Sequence, residues 1–283
     1  WTTITLCILL LGIRVLDPSL VEQTRLNSFD QYIQSLPDKE SDVVLLSLGE
    51  ETLAVHGQYP FPRQTYAQLI SDLRNANAGM IAFTLMFPEA DRFGGDEVFI
   101  SWVKDNGIIL AQDASSRGRS DTAPYVGTAT LGAGDAYDFV PKYKGLVTNI
   151  KALEEVAWGV GLINAGVEVD NITRRIPLLS QINGQLYPAM PLEIIRVIQD
   201  KPSYSLKADL DGIKDVMIPP YEPIKTDYNS SIWLNTNYTH VEYEYGKDVL
   251  PNLQGRTVLV GLSASGLGVQ IPTPQGLFYA HEL

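Results

Sequence analysis

A chain of 283 residues, 45% hydrophobic and 19% charged, carries enough apolar mass for one large α/β domain or one and a half, which excludes a disordered chain. Its formal net charge of −12 leaves no dense basic face for phosphates and excludes nucleic acid as a partner. With Cys7 as its only cysteine, neither an intrachain disulfide nor a cysteine metal site can form.

The first residue is Trp1 rather than Met, so the chain is expected to begin inside a longer one. Ile4 to Leu16 is apolar apart from Thr5, Gly12 and Arg14, yet shorter than the roughly 20 residues of a membrane span. Two readings stand. One is the outer end of a truncated transmembrane helix over residues 1–17, with Arg14 reaching back to the headgroups; the other is a buried or signal-type helix. The remaining domain would then run over 18–283. Its first element, Val21 to Leu36, is expected to be a polar helical stalk that docks through Leu26, Phe29, Ile33 and Leu36.

Asp42 to Gly49 predicts a buried strand, and Gln64 to Asn75 a helix with Tyr66, Leu69, Ile70 and Leu73 on one face. Gly79 to Phe87 is almost wholly apolar, which suits a strand covered on both sides. A helical crossover between two such strands implies parallel pairing, a βαβ unit. Ligands of such units tend to sit beyond the carboxyl ends of the strands, here near Glu50 and near Glu89 with Asp91. Tyr59-Pro60-Phe61-Pro62 fixes the entry to the helix and places Arg63 at its start. A cation there opposes the helix dipole, so Arg63 points either to a ligand or to a surface carboxylate partner.

Asp96 to Asn106 predicts a second crossover helix, and Gly107 to Ala111 a third parallel strand. Gln112 to Gly145 has no sustained period and is expected to form a long irregular excursion, with Phe139 and Val140 pinning it. Trp158 to Asn164 and Arg175 to Ile182, flanking the segment from Glu168 to Arg174, are expected to form antiparallel hairpins, with a tight turn at Asn183-Gly184. Pro191 to Gln199 predicts a helix with Leu192, Ile195 and Ile198 inward. Later strands fall at Val216 to Ile218, Ser231 to Leu234 and Thr257 to Val260.

The run from Thr257 to Gly268 is a strand entering a glycine-rich turn. A dinucleotide fingerprint needs a helix after the glycines, and Ile271-Pro272-Thr273-Pro274 follows instead. Gly261-Leu262-Ser263-Ala264-Ser265 approximates a nucleophile elbow, with Ser265 where the last glycine belongs and His281 alone downstream. Asp170, Arg174 and Arg175 share one connection, where alternate residues face the same side, so one arginine could reach a ligand; fixed turn charges are the plainer explanation. Glu89, Asp91 and Asp96 are too sparse for a calcium loop, and no metal is expected. Asn171-Ile172-Thr173, Asn229-Ser230-Ser231 and Asn237-Tyr238-Thr239 match glycosylation sequons, a pattern that matters only in a eukaryotic secretory setting.

In chain order, these segments resemble the type-two CHASE domain, the extracytoplasmic sensory module of bacterial adenylate cyclases, histidine kinases and serine/threonine kinases. The resemblance rests on Tyr59-Pro60-Phe61-Pro62-Arg63 and on the strand from Ile81 through Pro88-Glu89. It continues through Gly161-Leu162-Ile163-Asn164, Asp170 and Arg174-Arg175-Ile176-Pro177-Leu178, then Tyr187-Pro188-Ala189-Met190-Pro191-Leu192-Glu193. It ends with Leu253 to Gly261, Ser263-Ala264, Thr273-Pro274 and Ala280-His281. Family members usually carry Asp where Thr84 stands, Trp near Tyr59 and Phe61, Asp-Gly at Asn171-Ile172, and Asp at Val269-Gln270. Those departures remove the support for an acidic ligand site at these positions.

The fold expected is therefore α/β: a mostly parallel sheet with flanking helices and antiparallel hairpin insertions, preceded by the truncated transmembrane helix. The resemblance implies a non-catalytic sensor on the extracytoplasmic side of the bacterial cell membrane, followed by further membrane helices and a cytoplasmic output domain, and signalling as a homodimer. A small molecule or protein ligand would lie in a cleft drawn from Arg63, Glu89, Asp91, Asp170, Arg174, Ser263 and Ser265, with no cofactor. Two alternatives are a membrane-anchored hydrolase using Ser263 and His281, and a surface or assembly protein that keeps the fold without signalling.

Overall fold

The structure is a computed structural model and describes residues 1–16, 18–115 and 128–283. Asp17, the Arg14 side chain expected at the headgroups and the middle of the expected irregular excursion lie outside the described residues.

Six strands lie parallel in one sheet, in the order Tyr238–Glu244, Lys39–Leu48, Thr257–Leu262, Met80–Phe83, Ile108–Ser115 and Gly159–Leu162. Gly145–Val147 adds an antiparallel pairing at the far end of Ile108–Ser115. Side chains of successive strand residues point to opposite faces, so each apolar strand feeds two cores. On one face Leu46, Phe83, Leu110 and Val260 meet the helices Arg63–Asn75 and Asp96–Asp105. The first helix buries Tyr66, Leu69, Ile70 and Leu73, the face its 3.6-residue period predicts. On the other face Met80, Ala82, Ile109, Ala111 and Leu259 meet Met190, Ile194 and Val197 of the helix Met190–Ile198.

The strand from Met80 is shorter than its apolar run predicts. The last ladder bond runs from the Thr84 N–H to the Val260 carbonyl, and the Phe87 N–H then turns to Asn149 Oδ1 at 2.8 Å. Residues 84–87 thus leave the sheet and fold Phe87 into a cluster with Tyr66, Phe83 and Phe99, whose rings contact edge to face or tilted at centroid distances from 4.9 to 6.3 Å. Such pairs each add about 0.5–1.5 kcal/mol beyond burial.

Gly159–Leu162 corrects an expectation: it is the sixth parallel strand rather than half of a hairpin. Its glycines explain the placement. A Cβ on Gly159 would stand 2.5 Å from Glu193 Oε1, and one on Gly161 2.5 Å from Met190 Cα, so only glycine lets the helix Met190–Ile198 settle on the strand.

The hairpin insertions are present elsewhere. Leu179–Ile182 pairs antiparallel with Gln185–Pro188 across Asn183-Gly184, both at positive φ (51° and 79°) as a tight hairpin turn requires. Tyr204–Asp209 pairs antiparallel with Gly212–Met217, and Arg175–Pro177 with Ser231–Trp233. These layers close over their own core of Leu179, Leu186, Leu206, Ile213 and Val216.

Two helices precede the sheet. Thr2–Leu16 is largely apolar and leaves its side chains exposed: Leu6, Ile8, Leu9 and Leu11 are each more than half exposed. Among the described residues no helix is long and apolar enough to cross a membrane. Ser19–Gln34 docks on the domain, burying Leu26 and setting Phe29 against Trp233 with ring centroids 4.1 Å apart.

Candidate functional site

The carboxyl ends of the parallel strands open into a cavity of about 540 Å³. Its walls include Tyr59, Phe61, Arg63, Tyr66, Thr84, Phe87, Glu89, Asp91, Arg92, Ile163, Val269 and His281. Arg63, Glu89 and Asp91 therefore meet at one place, beyond the strand ends where the βαβ reading puts a ligand.

Arg63 is the first residue of its helix and is almost wholly buried. Its Nη2 donates to the Glu89 carbonyl at 2.8 Å, and the guanidinium lies 4.6 Å above the Phe87 ring centre. Its Nε stands 3.3 Å from Asp96 Oδ1, out of hydrogen-bond alignment, and both buried atoms lack a hydrogen bond among the described residues. The cation is thus charge-compensated by Asp96, and its Nε is sealed against that carboxylate.

Asp91 offsets the unfavourable position of that cation. Its Oδ2 accepts the Arg63 N–H at 3.2 Å and the Gly95 N–H at 2.9 Å, giving the helix start a negative partner. Burial pushes this carboxyl up, but the N–H groups of Gly95, Arg63 and Phe93 and the Arg63 charge together hold it below the usual carboxylate range. Burial raises the Tyr66 phenol in the same cavity, so it stays a neutral donor.

Thr84, where the resemblance leads one to expect Asp, donates its hydroxyl to the Val260 carbonyl at 3.1 Å and presents no charge. Beside it the His281 ring is 1% exposed and lies over Gly261, whose added Cβ would stand 2.0 Å from Nδ1. Ser47 Oγ donates to Glu242 Oε1 at 2.7 Å, so its 3.0 Å contact with His281 is one in which Nε2–H donates to the serine oxygen. Burial lowers the His281 pKa to about 4, and the ring is neutral at pH 7. The hydroxyl bonded to His281 is thus that of Ser47, not Ser263.

Ser263 lines a neighbouring acidic recess of about 480 Å³ with Glu50, Glu242 and Glu244, and Ser265 donates its backbone N–H to Glu50 Oε1 at 2.8 Å. Asp170 and Arg174 stand apart from both. Arg174 is 1% exposed and forms a double fork, with Asp30 at 2.7 and 2.8 Å and with Asp170 at 2.9 and 2.7 Å. The Arg174 hydrogen bonds foremost hold the Asp170 carboxyl below its usual range. This cluster joins the hairpin layer to the helix Ser19–Gln34. Among the described residues, no group of three or more His, Cys, Asp or Glu could hold a metal ion.

Sequence reasoning gave no place to Ser47 or Asp30. Neither lies in a motif, and their partners are 234 and 144 residues away.

A mostly parallel sheet with a cleft at its carboxyl edge, joined to hairpin layers on which the helix Ser19–Gln34 docks, is a mixed α/β architecture. The family model for the CHASE2 domain matches residues 4–283, and the chain belongs to that family. CHASE2 domains are extracytoplasmic sensory domains of membrane signalling receptors. No curated protein and no solved structure matches the chain.

Proposed function

We propose that this domain is the ligand-binding sensor of a bacterial receptor with an adenylate cyclase, histidine kinase or serine/threonine kinase as output. The ligand, a small molecule or an extended piece of a protein partner, occupies the cavity lined by Arg63, Glu89 and Asp91. One observation carries this reading: Arg63, Glu89 and Asp91, which come from different loops and helix starts, line one cavity beyond the carboxyl ends of the parallel strands. The domain binds without catalysing, and the output chemistry belongs to an attached domain. The exposed apolar helix Thr2–Leu16 contributes to a membrane anchor, and two copies pair to signal.

Transmission follows from short connections. Val269 lines the cavity and leads directly into Gln270–Thr273; the Pro272 carbonyl there accepts the Thr173 N–H at 2.8 Å, and Arg174 is the next residue. Arg174 holds Asp30, and Gln34 Nε2 donates to the Pro274 carbonyl at 2.8 Å. A ligand that prefers one arrangement of residues 267–269 thereby biases the docking of the helix Ser19–Gln34, by no more than its affinity difference for the two arrangements.

The test is a thermal-shift screen of small polar molecules, followed by titration calorimetry and hydrogen exchange. Loss of a charge-assisted hydrogen bond costs about 1.5–3 kcal/mol, so Arg63→Gln weakens a true ligand roughly tenfold or more. Ligand also changes exchange in residues 19–34. Equal affinity for wild type and Arg63→Gln removes the cavity from the proposal, and unchanged exchange in that helix removes the coupling.

A further inference from the structure

A second cavity, of about 380 Å³, lies on the other side of the wall that closes the first. The two share Thr84, Ile163, Ala280 and His281 as lining residues. Their chemistry differs. The first carries opposite charges and tyrosines; the second runs beneath the helix Met190–Ile198 and is lined by Ile176, Ile194, Ile198, Leu259 and Ile271. The sheet explains the difference: Leu259 and Met190 belong to the face opposite the Arg63 helix, where the short helix Met190–Ile198 covers only part of the strands.

An apolar recess of this size gives water few partners and suits an apolar group. Its neighbour is lined by the Arg63 guanidinium, a group that recognises an acidic or strongly accepting head. The wall between them is light. Its largest member, the His281 ring, has one side-chain hydrogen bond, to Ser47, and rests on a glycine. Its Nδ1 is without a hydrogen bond among the described residues, so little polar bonding holds the ring where it stands.

We infer that the ligand is a small amphiphile: its acidic head meets Arg63 in the first cavity, and its unbranched apolar tail passes His281 into the isoleucine-lined recess. This rests on the sensor reading of the Arg63 cavity and adds to it the chemical class of the ligand. Head and tail are recognised by different faces of one sheet, so a molecule with both spans the strand ends. Displacement of His281 by the tail also moves the segment that contacts Ser47, which couples occupancy of the recess to the sheet edge.

The experiment uses the whole chain and saturated carboxylates of increasing length, acetate, butyrate, hexanoate, octanoate and decanoate, by titration calorimetry. Each buried CH₂ contributes about 0.8 kcal/mol, so affinity rises about three- to fourfold per methylene until the recess is full. Decyltrimethylammonium, with the same tail and a cationic head, binds at least tenfold more weakly than decanoate. Two variants separate the ends. Arg63→Gln removes the preference for the carboxylate and keeps the length dependence; Ile198→Arg, at a partly exposed position on the recess rim, flattens the length dependence and keeps the head preference.

Affinity that does not grow with length, with Arg63→Gln still weakening every carboxylate, overturns the amphiphile and leaves the sensor cavity standing. Length dependence unaltered in Ile198→Arg also overturns it, because the tail then lies elsewhere, the exposed Thr2–Leu16 helix included. No effect of Arg63→Gln on any carboxylate overturns the head assignment and the cavity reading together.

Discussion

Replacing Arg174 by methionine keeps a long apolar stem and removes the cation from between two carboxylates. The guanidinium is 1% exposed, and the side chains of Asp30 and Asp170 are 13% and 19% exposed, so neither acid is well hydrated once it loses its partner. Breaking a buried ion pair from one side costs about 3–5 kcal/mol, because the charge left behind has nothing to offset it. Here two charges of like sign remain, facing each other across the space that Arg174 filled. The Asp170 pKa is held down in the folded state, chiefly by Arg174. A depressed carboxylate contributes stability above its unfolded pKa, and that contribution is lost as pH falls through the folded value. The gap between wild type and Arg174→Met is therefore widest at pH 7 and narrows towards pH 3. Urea denaturation of both proteins at the two pH values measures it, and hydrogen exchange locates it. Exchange rises in residues 19–34 more than in the core helix Arg63–Asn75, because the helix Ser19–Gln34 loses its anchor at Asp30. A loss below about 1 kcal/mol at pH 7, the scale of exposed pairs, refutes the argument. So does a uniform rise in exchange across both helices.

Gly261→Ala places a Cβ 2.0 Å from His281 Nδ1, and overpacking of that kind costs about 1–3 kcal/mol. The loss shows in thermal denaturation and disappears in a His281→Ala background; an equal loss in both backgrounds moves the strain elsewhere. His281 also carries a pH signature. Its pKa falls from 6.5 to about 4 on folding because burial disfavours the charged ring. At 1.36 kcal/mol per pKa unit, the neutral ring forfeits about 3 kcal/mol of stability as pH falls from 6.5 to 4, with full stability above that window. Denaturation curves of wild type minus His281→Phe show this slope, and a flat difference between pH 6.5 and 4 overturns it.

How far the fold can be read from the residues depends on the range over which each signal acts. Tyr66, Leu69, Ile70 and Leu73 recur at helical spacing, and their helix buries that face. Glu89 and Asp91 stand at the carboxyl edge, where the rule for βαβ units puts them, and Arg63, singled out by its place at a helix start, joins them; Glu50, which the same rule named, lies in the neighbouring recess with Ser263. Gly159–Leu162 was open to misassignment, since a four-residue apolar run fits a hairpin as well as a parallel strand. Its partner is decided by the helix that follows and by two glycines whose role shows only in contact. The hairpin Tyr204–Asp209 with Gly212–Met217 was seen only at its far end, because its first strand mixes Ser205, Lys207 and Asp209 with the buried residues. Asp170 and Arg174 are four residues apart and legible as a charged turn. Their third member, Asp30, lies on a helix whose docking no local pattern encodes.

The order of the strands has a consequence for how the chain acquires its shape. Thr257–Leu262 lies between Lys39–Leu48 and Met80–Phe83, so the sheet's middle strand is supplied some 174 residues after the second of its neighbours. Until it arrives, those two strands have no partner between them, and each presents an open row of peptide groups. Closing so large a loop is entropically costly, and sheets built from distant segments fold slowly. A chain that emerges from one end would hold its first 256 residues as two incomplete halves until this strand zips them together. Because Ser263 to His281 follow that strand directly, the wall of the binding cavity is set in the same late event, and no partially assembled form can offer a ligand the finished pocket.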